Sequence, residues 1–110
     1  MTDVIIIFVT AGSEPEAETI ARALVEERLA ACVNIISPIR SIYRWEGKVQ
    51  DDREWLLVIK TRQIHFAAVE ARVRSLHSYQ VPEVIALPIV DGSERYLGWI
   101  KGETEKEGKA

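Results

Sequence analysis

Two unbroken apolar runs constrain the fold of this chain more than any other feature of its sequence. Residues 4–9 and 55–59 consist wholly of large aliphatic or aromatic side chains. Successive side chains of a strand point to opposite sheet faces, so a run without polar alternation predicts a strand that is covered on both faces. We therefore expect both runs to be central strands of one sheet, the first over residues 3–10.

A long β-hairpin is predicted around Glu46 and Gly47. Residues 32–45 are rich in β-branched and aromatic side chains, and Gly47 suits a tight reversal that needs a positive φ angle. The returning strand is expected over residues 48–60. Because Pro38 lacks the N–H that a ladder hydrogen bond needs, the first hairpin strand is predicted to be an edge strand or to contain a bulge.

Three segments carry the signals of helices. The first begins with the capping box Ser13-Glu14-Pro15-Glu16, after which apolar residues recur at steps of three and four. The second is expected to start with Thr61 as its N-cap and to be ended by Tyr79 and Pro82. The third is a short helix that follows the turn at residues 91–93.

The fourth strand, predicted over residues 84–90, completes the order βαββαβ with a C-terminal helix. That order predicts an α+β, ferredoxin-like fold with an antiparallel sheet, in which strands two and four lie at the edges. Pro38 and Pro88 then fall on edge strands, where proline is tolerated. We interpret residues 1–110 as a single domain, and the highly charged residues 101–110 as a loose tail.

The same fold predicts an oligomer. Both main helices cover one sheet face, so the apolar side chains on the other face of the central strands need a second cover. The long hairpin also projects beyond its own sheet and offers strand edges to neighbours. A head-to-tail edge contact closes into a ring under cyclic symmetry, and a trimer is the smallest ring beyond a dimer.

Composition and charge argue against several classes of protein. The net charge of −3 and the interleaving of basic with acidic residues give no field that would gather nucleic acid. The N-terminal apolar run is shorter than a membrane span or a signal-peptide core, and the single cysteine, Cys32, forms no internal disulfide. We expect a cytoplasmic protein without membrane or nucleic-acid partners.

Chemistry-bearing residues cluster before the fourth strand, where His77, Tyr79 and Glu83 follow one another closely. Such a group could ligate a soft or borderline cation. The alternative is structural, with Tyr79 packing and Glu83 pairing with Lys60 or an arginine. A nucleophile and base pair of Cys32 with His77 is the catalytic alternative, although a lone cysteine among alanines is more often a small buried hydrophobe.

Three sequence blocks, in this order, resemble the divalent-cation tolerance protein CutA family: Ala30-Ala31-Cys32-Val33-Asn34, Tyr43-Arg44-Trp45-Glu46-Gly47-Lys48 and Tyr79-Gln80-Val81-Pro82-Glu83. The resemblance spans nearly the whole chain. It implies a ferredoxin-like homotrimer, similar in architecture to the PII nitrogen-signalling proteins, in which the long hairpins join strands between subunits. It also implies a link to tolerance of divalent cations, especially copper.

The resemblance gives only a partial copper site. In bacterial relatives that are assigned one, the ligands occupy the positions held here by Val9, Leu76 and His77. Only His77 carries a ligating group, and a single imidazole needs help from Cys32, Glu83 or a neighbouring subunit. The resemblance thus predicts, at most, a metal site with His77, Cys32 and Glu83 as its ligands.

The resemblance further implies an intersubunit cleft that is lined by Trp45, Lys60, Tyr79 and Glu83. The expected function is that of a non-enzymatic trimer that binds copper or another divalent cation weakly, or that takes part in a response to metal. No other cofactor is expected. The alternative function is that of a PII-like trimeric sensor, which would bind a small anionic ligand with Lys60 and arginine residues at the subunit clefts.

Overall fold

The computed structural model describes residues 2–105 and confirms the mixed α+β class. Its elements are β1 (Val4–Ala11), α1 (Glu14–Glu26), β2 (Cys32–Trp45), β3 (Lys48–Arg62), a 3-10 turn (Gln63–His65), α2 (Phe66–Leu76), β4 (Val84–Pro88) and α3 (Glu94–Glu103). The four strands form one antiparallel sheet in the order β2-β3-β1-β4. The predicted placement of strands one and three at the centre is therefore confirmed.

The prolines occupy the edge strands, as predicted. Pro88 lies opposite Ile5 on β4, and Pro38 lies where the pairing of β2 with β3 shifts between Ile36 and Ile39. The hairpin turns at Glu46 and Gly47, which both have positive φ angles, 53° and 79°. Positive φ at both central residues matches the twist of a tight hairpin, so the turn continues the ladder directly.

The main core lies between α1, α2 and one face of the sheet. Ile7 and Val9 of β1 and Leu57 and Ile59 of β3 are fully buried there. The helices contribute Ile20, Leu24, Val69 and Val73, which are equally buried. Helix α1 begins as predicted: the Ser13 hydroxyl accepts a hydrogen bond from the Glu16 N–H at 3.3 Å.

The predicted start of the second helix is wrong. Thr61 belongs to β3, where it pairs with Ile5, and its buried hydroxyl donates to the Leu29 carbonyl at 2.7 Å. A 3-10 turn follows, and α2 runs from Phe66 to Leu76, so it ends before the tyrosine expected to stop it. A buried threonine in a strand satisfies its hydroxyl with a nearby carbonyl, which removes it as a helix cap.

The C-terminal predictions also need correction. Strand β4 ends at Pro88, two residues earlier than expected, although the Ile89 N–H still donates to the Val4 carbonyl at 3.1 Å. The loose tail is wrong for residues 101–105, because α3 continues through Glu103 and Thr104 is fully buried. The Thr104 carbonyl lies 2.7 Å from Nε2 of His65, which ties the helix end to the 3-10 turn. Residues 106–110 lie outside the described part of the chain.

The opposite sheet face, here called the open face, has no helix over most of its area. Strand alternation and register place seven apolar side chains on it: Ile6 and Phe8 of β1, Ile36 of β2, Leu56 and Val58 of β3, and Ile85 and Leu87 of β4. Ile85 is 53% exposed and Leu87 is 46% exposed. Helix α3 covers only one end, where Ile100 packs with Val4 and Ala31. Among the described residues, every helix is too short or too polar to cross a membrane.

Candidate functional site

A cleft of about 850 Å³ lies between the hairpin and the loop that joins α2 to β4. It is lined by three aromatic rings, from Tyr43, Trp45 and Tyr79, and by three carboxylates, from Glu46, Glu54 and Glu83. Thr10, at the end of β1, forms part of its wall. The cleft therefore lies where the helix-covered part of the sheet ends and the projecting part of the hairpin begins.

Tyr79 is held in the cleft by a hydrogen bond to the sheet. Its hydroxyl donates to Oε2 of Glu54 at 2.8 Å, and Glu54 is only 6% exposed. Burial, and secondly this hydrogen bond, raise the pKa of the Tyr79 hydroxyl. Gly12 makes the contact possible, because a Cβ atom at Gly12 would lie 3.0 Å from the Tyr79 hydroxyl oxygen. The loop between α2 and β4 is thus fixed to β3 through the side chain of Tyr79, which lies against Gly12.

The second carboxylate of interest is that of Glu83. Burial, and secondly the negative charge of Glu54, raise the pKa of Glu83. Among residues 2–105, Arg40 is the one basic side chain that lines the cleft, and its guanidinium donates to both carboxylate oxygens of Asp51 at 2.9 and 2.7 Å. The predicted pairing of Glu83 with Lys60 or an arginine is not formed within residues 2–105.

His77 is buried beside the cleft, with both ring nitrogens in use. Its Nε2 lies 2.7 Å from the Thr10 carbonyl, and its Nδ1 accepts the Tyr79 N–H at 3.1 Å. Because a carbonyl oxygen only accepts, the contact with Thr10 places a proton on Nε2. A carboxylate oxygen of Glu16 lies 3.2 Å from Nδ1, and that carboxylate also accepts from the Ser78 N–H at 2.6 Å and the Ser78 hydroxyl at 3.0 Å. His77 therefore links β1, α1 and the loop.

Cys32 and Lys60 lie at the other end of the sheet. Cys32 pairs with Lys60, which pairs with Ile6, whereas His77 contacts Thr10, four positions further along β1. At about 3.3 Å per residue the two sites are separated by roughly 13 Å along the strands. The Lys60 ammonium contacts the Asn34 side-chain carbonyl, and Cys32 is partly exposed rather than fully buried.

The predicted residues therefore divide into two groups. Trp45, Tyr79 and Glu83 line one cleft, but Lys60 does not. The proposed metal ligands His77, Cys32 and Glu83 are not brought together within one subunit, nor are Cys32 and His77 placed as a catalytic pair. In the part of the chain that the structure describes, no three Cys, His, Asp or Glu side chains form a group that would hold a metal. One subunit therefore does not fit a resident copper ion.

Sequence reasoning missed Glu54 and the role of Gly12. Glu54 directly precedes the apolar run of β3 and lies on the open-face side of that strand, in register with Ile39. The available signal was a carboxylate inside a strand predicted to be central, directly before its apolar run. The contact of Gly12 with Tyr79 joins positions 67 residues apart, and sequence spacing gives no indication of such a contact.

The CutA1 divalent ion tolerance protein family matches residues 5–103. This chain belongs to that family. The divalent-cation tolerance protein CutA of Thermus thermophilus is 52% identical over 99 residues, which cover 90% of this chain and 96% of that relative. The solved structure of the divalent cation tolerance protein from Thermus thermophilus superposes with a TM-score of 0.91 at 50% identity, covering 93% of this chain and 99% of the other.

The CutA family also includes longer members. The chloroplastic CutA protein of Arabidopsis thaliana is 50% identical over 100 residues, which are 91% of this chain but 55% of that protein. The chain thus spans about half the length of this relative. Since that relative is named as a chloroplastic protein, the cytoplasmic location of this chain stays a prediction. The names of the two Thermus thermophilus proteins describe tolerance of divalent cations rather than an enzymatic reaction.

Proposed function

We propose that this CutA-family chain is a non-enzymatic, homotrimeric divalent-cation tolerance protein, with its ligand-binding cleft beside the hairpin. The observation that carries the proposal is the open face. Family membership supports the link to divalent cations, and the separation of Cys32 from His77 supports a role that does not depend on catalysis. The proposed assembly thus rests on the open face, whereas the proposed metal role rests on family membership.

The open face supports the assembly because its apolar side chains require a cover. Soluble monomers rarely expose a contiguous apolar patch larger than a few hundred Å². The hairpin supplies a means of contact, since β3 has 15 residues and only residues 55–62 pair with the 8-residue β1. Its remaining residues project roughly 20 Å beyond β1 at about 3.3 Å per residue. Repeated head-to-tail contacts of this kind close into a trimer.

The metal role we propose is weak binding to carboxylates, without His77 as a ligand. Of the three predicted ligands, only Glu83 lines the cleft. Carboxylates alone, without imidazole or thiolate ligands, do not hold copper firmly. A small anion is the less favoured ligand, because Arg40 is paired with Asp51 and Lys60 lies outside the cleft.

Sedimentation tests the assembly. The native protein is expected to sediment at three times the chain mass of 12.4 kDa. Replacing Ile85 and Leu87 together by lysine puts two charges on the open face and is expected to yield monomers. Ile64→Lys is the matched control, because Ile64 is 76% exposed on the 3-10 turn, away from the open face. A native protein that sediments as a monomer contradicts the proposal.

Copper titration by calorimetry tests the metal role. We expect weak binding with the same isotherm for the native protein and for His77→Gln, because both nitrogens of His77 already have partners. The folded state of the variant is checked first by circular dichroism. Tight binding of one copper ion per chain that is lost in His77→Gln would show that His77 is a ligand.

A further inference from the structure

Arg62, the last residue of β3, is a partly buried arginine without a partner. Its Nε is buried and has no hydrogen-bond partner, and no carboxylate of residues 2–105 lies within ion-pair distance of its guanidinium. Four other arginines of the described chain do pair with a carboxylate, namely Arg22, Arg40, Arg72 and Arg74. A buried donor without an acceptor costs free energy, more so when it is charged, and can mark the place of a water or an ion. Arg62 therefore needs an acceptor from outside the described chain.

The packing of α3 on the sheet sets the surroundings of Arg62. Arg62 lies opposite Val4 in register and on the same sheet face, and Val4 is buried against Ile100 of α3. This end of the sheet is thus covered within one subunit, in contrast to the rest of the open face. Nε is the one nitrogen of the Arg62 guanidinium that is buried without a partner, so solvent reaches both Nη atoms. The guanidinium is therefore held at its base and keeps its outer N–H donors for a ligand.

Lys60 adds a second positive charge on the same face. It precedes Arg62 by two positions, which separates the two residues by roughly 7 Å along the strand at about 3.3 Å per residue. Its ammonium contacts the neutral side-chain carbonyl of Asn34, and no carboxylate of residues 2–105 lies within ion-pair distance of it. Two like charges this close repel each other, and partial burial reduces the screening by solvent. The electrostatic field between them favours an anion.

We propose that Arg62 and Lys60 form a binding site for a small oxyanion, a phosphate or a carboxylate group, beside α3. The planar guanidinium donates in parallel to two oxygens of such a group, and the lysine ammonium supplies a compact point charge. The site is formed by one chain and lies outside the cleft at the hairpin. This inference therefore goes beyond the proposed function and does not depend on the metal role.

Two oxyanions of simple chemistry test the site. Potassium phosphate and potassium acetate are titrated separately into the assembled protein by calorimetry near neutral pH, with the ionic strength held constant by potassium chloride. We expect one oxyanion to bind per chain, and the probe that binds more tightly identifies the group as phosphate or carboxylate. Arg62→Gln and Lys60→Gln are each expected to weaken binding at least about tenfold, the effect of losing a charge-assisted contact.

Arg95→Gln is the matched control, because Arg95 is exposed on α3 and has no ion pair among the described residues. It removes the same charge and is expected to bind the oxyanion like the native protein. Arg62→Lys keeps the charge but loses the parallel donors, so its affinity should lie between those of the native protein and Arg62→Gln. Thermal melting verifies that each variant is folded. Absence of binding by both probes, or equal affinities in Arg62→Gln and Arg95→Gln, would overturn the inference.

Sedimentation of the same samples separates this inference from the proposed assembly. A trimer that binds neither oxyanion overturns the inference and leaves the proposed function intact. A monomer that binds one supports the inference and contradicts the proposed trimer. If Arg62→Gln dissociated a native trimer, the acceptor for Arg62 would be a neighbouring subunit, and the oxyanion site would be refuted.

Discussion

His77 and Glu54 lie on two sides of the same tyrosine, and their surroundings differ in kind. The imidazole of His77 is buried with a partner for each nitrogen, the Thr10 carbonyl and the Tyr79 N–H. The carboxylate of Glu54 accepts one hydrogen bond from the described residues, from the Tyr79 hydroxyl, and its second oxygen is reached by solvent. A satisfied buried group stabilises the fold, whereas a carboxylate oxygen that solvent reaches can still accept further hydrogen bonds.

The contrast explains how a histidine near a binding cleft can be structural. The loop after α2 has to reverse direction beside α1 and β1, and its backbone N–H groups need acceptors there. His77 and Glu16 supply two of them, for Tyr79 and Ser78 respectively. The loop backbone is satisfied by the domain core, so the side chains of Tyr79 and Glu83 can face the cleft.

Replacing His77 gives the largest expected effect and tests the structural half of the contrast. His77→Ala leaves the Thr10 carbonyl and the Tyr79 N–H without their partners and opens a cavity beside β1. We expect a loss of roughly 3 kcal/mol in the free energy of unfolding, as for other buried hydrogen-bonded groups. Urea denaturation at fixed chain concentration measures it, because assembly makes stability depend on concentration.

Gln80→Ala provides the control for the loop, since Gln80 is exposed and makes no side-chain hydrogen bond with the described residues. Its expected change is within about 0.5 kcal/mol. If His77→Ala were as stable as this control, His77 would not be a structural anchor, and a role as a metal ligand would regain support.

The sequence predicted most of the fold because the decisive signals are local. The apolar runs of β1 and β3, the Ser13 capping box and the glycine turn each lie within a few residues, and they give the strand order and the hairpin. Thr61 was misassigned because a threonine before a helix is typical of a cap, whereas its real partner, the Leu29 carbonyl, is 32 positions away.

The candidate site was predictable only in part, for the same reason. Tyr79 and Glu83 belong to one short block, and Trp45 adjoins the turn, so their residue types and positions indicated a site. The groups that define their environment are distant in sequence: Glu54 is 25 positions from Tyr79, and Gly12 is 67 positions from it. Whether the ring nitrogens of His77 are free or hydrogen-bonded also depends on such long-range contacts, and the spacing of residues in the sequence does not reveal them.

Replacing Gly12 is a test with a smaller expected effect. It is more selective, because it disturbs the hydrogen bond between Tyr79 and Glu54 and leaves the contacts of His77 unchanged. A Cβ at Gly12 would lie 3.0 Å from the Tyr79 hydroxyl oxygen, so Gly12→Ala is expected to displace that hydroxyl from Glu54. The expected loss is about 1–2 kcal/mol, the cost of one disturbed hydrogen bond to a charged group. Thermal melting measures this loss.

Two further variants make the test of Gly12 decisive. Tyr79→Phe removes the hydroxyl, so Gly12→Ala is expected to cost less in that background than in the native protein. Gly98→Ala is the control, since a Cβ there has open space and alanine favours the interior of α3 by roughly 0.5–1 kcal/mol. Equal costs of Gly12→Ala in both backgrounds would mean that the Tyr79 hydroxyl is not the group affected.

The pH dependence of Glu83 is the smallest expected effect, and it tests whether the cleft charge is real. Its pKa in the folded protein is raised above the ordinary value of 4.5, first by burial and then by Glu54. The folded state therefore binds the proton more tightly than the unfolded chain does. The stability that results is present below pH 4.5 and is lost as the pH rises through the folded pKa.

Glu83→Gln is uncharged at every pH and serves as the reference for this effect. The native protein should gain stability relative to Glu83→Gln as the pH falls through the folded pKa towards 4.5, and it should have no advantage at neutral pH. Paired melting curves between pH 7.5 and pH 4.5 measure the difference. A native protein that loses stability relative to Glu83→Gln on acidification would mean that Glu83 is compensated by a cation already within the assembly.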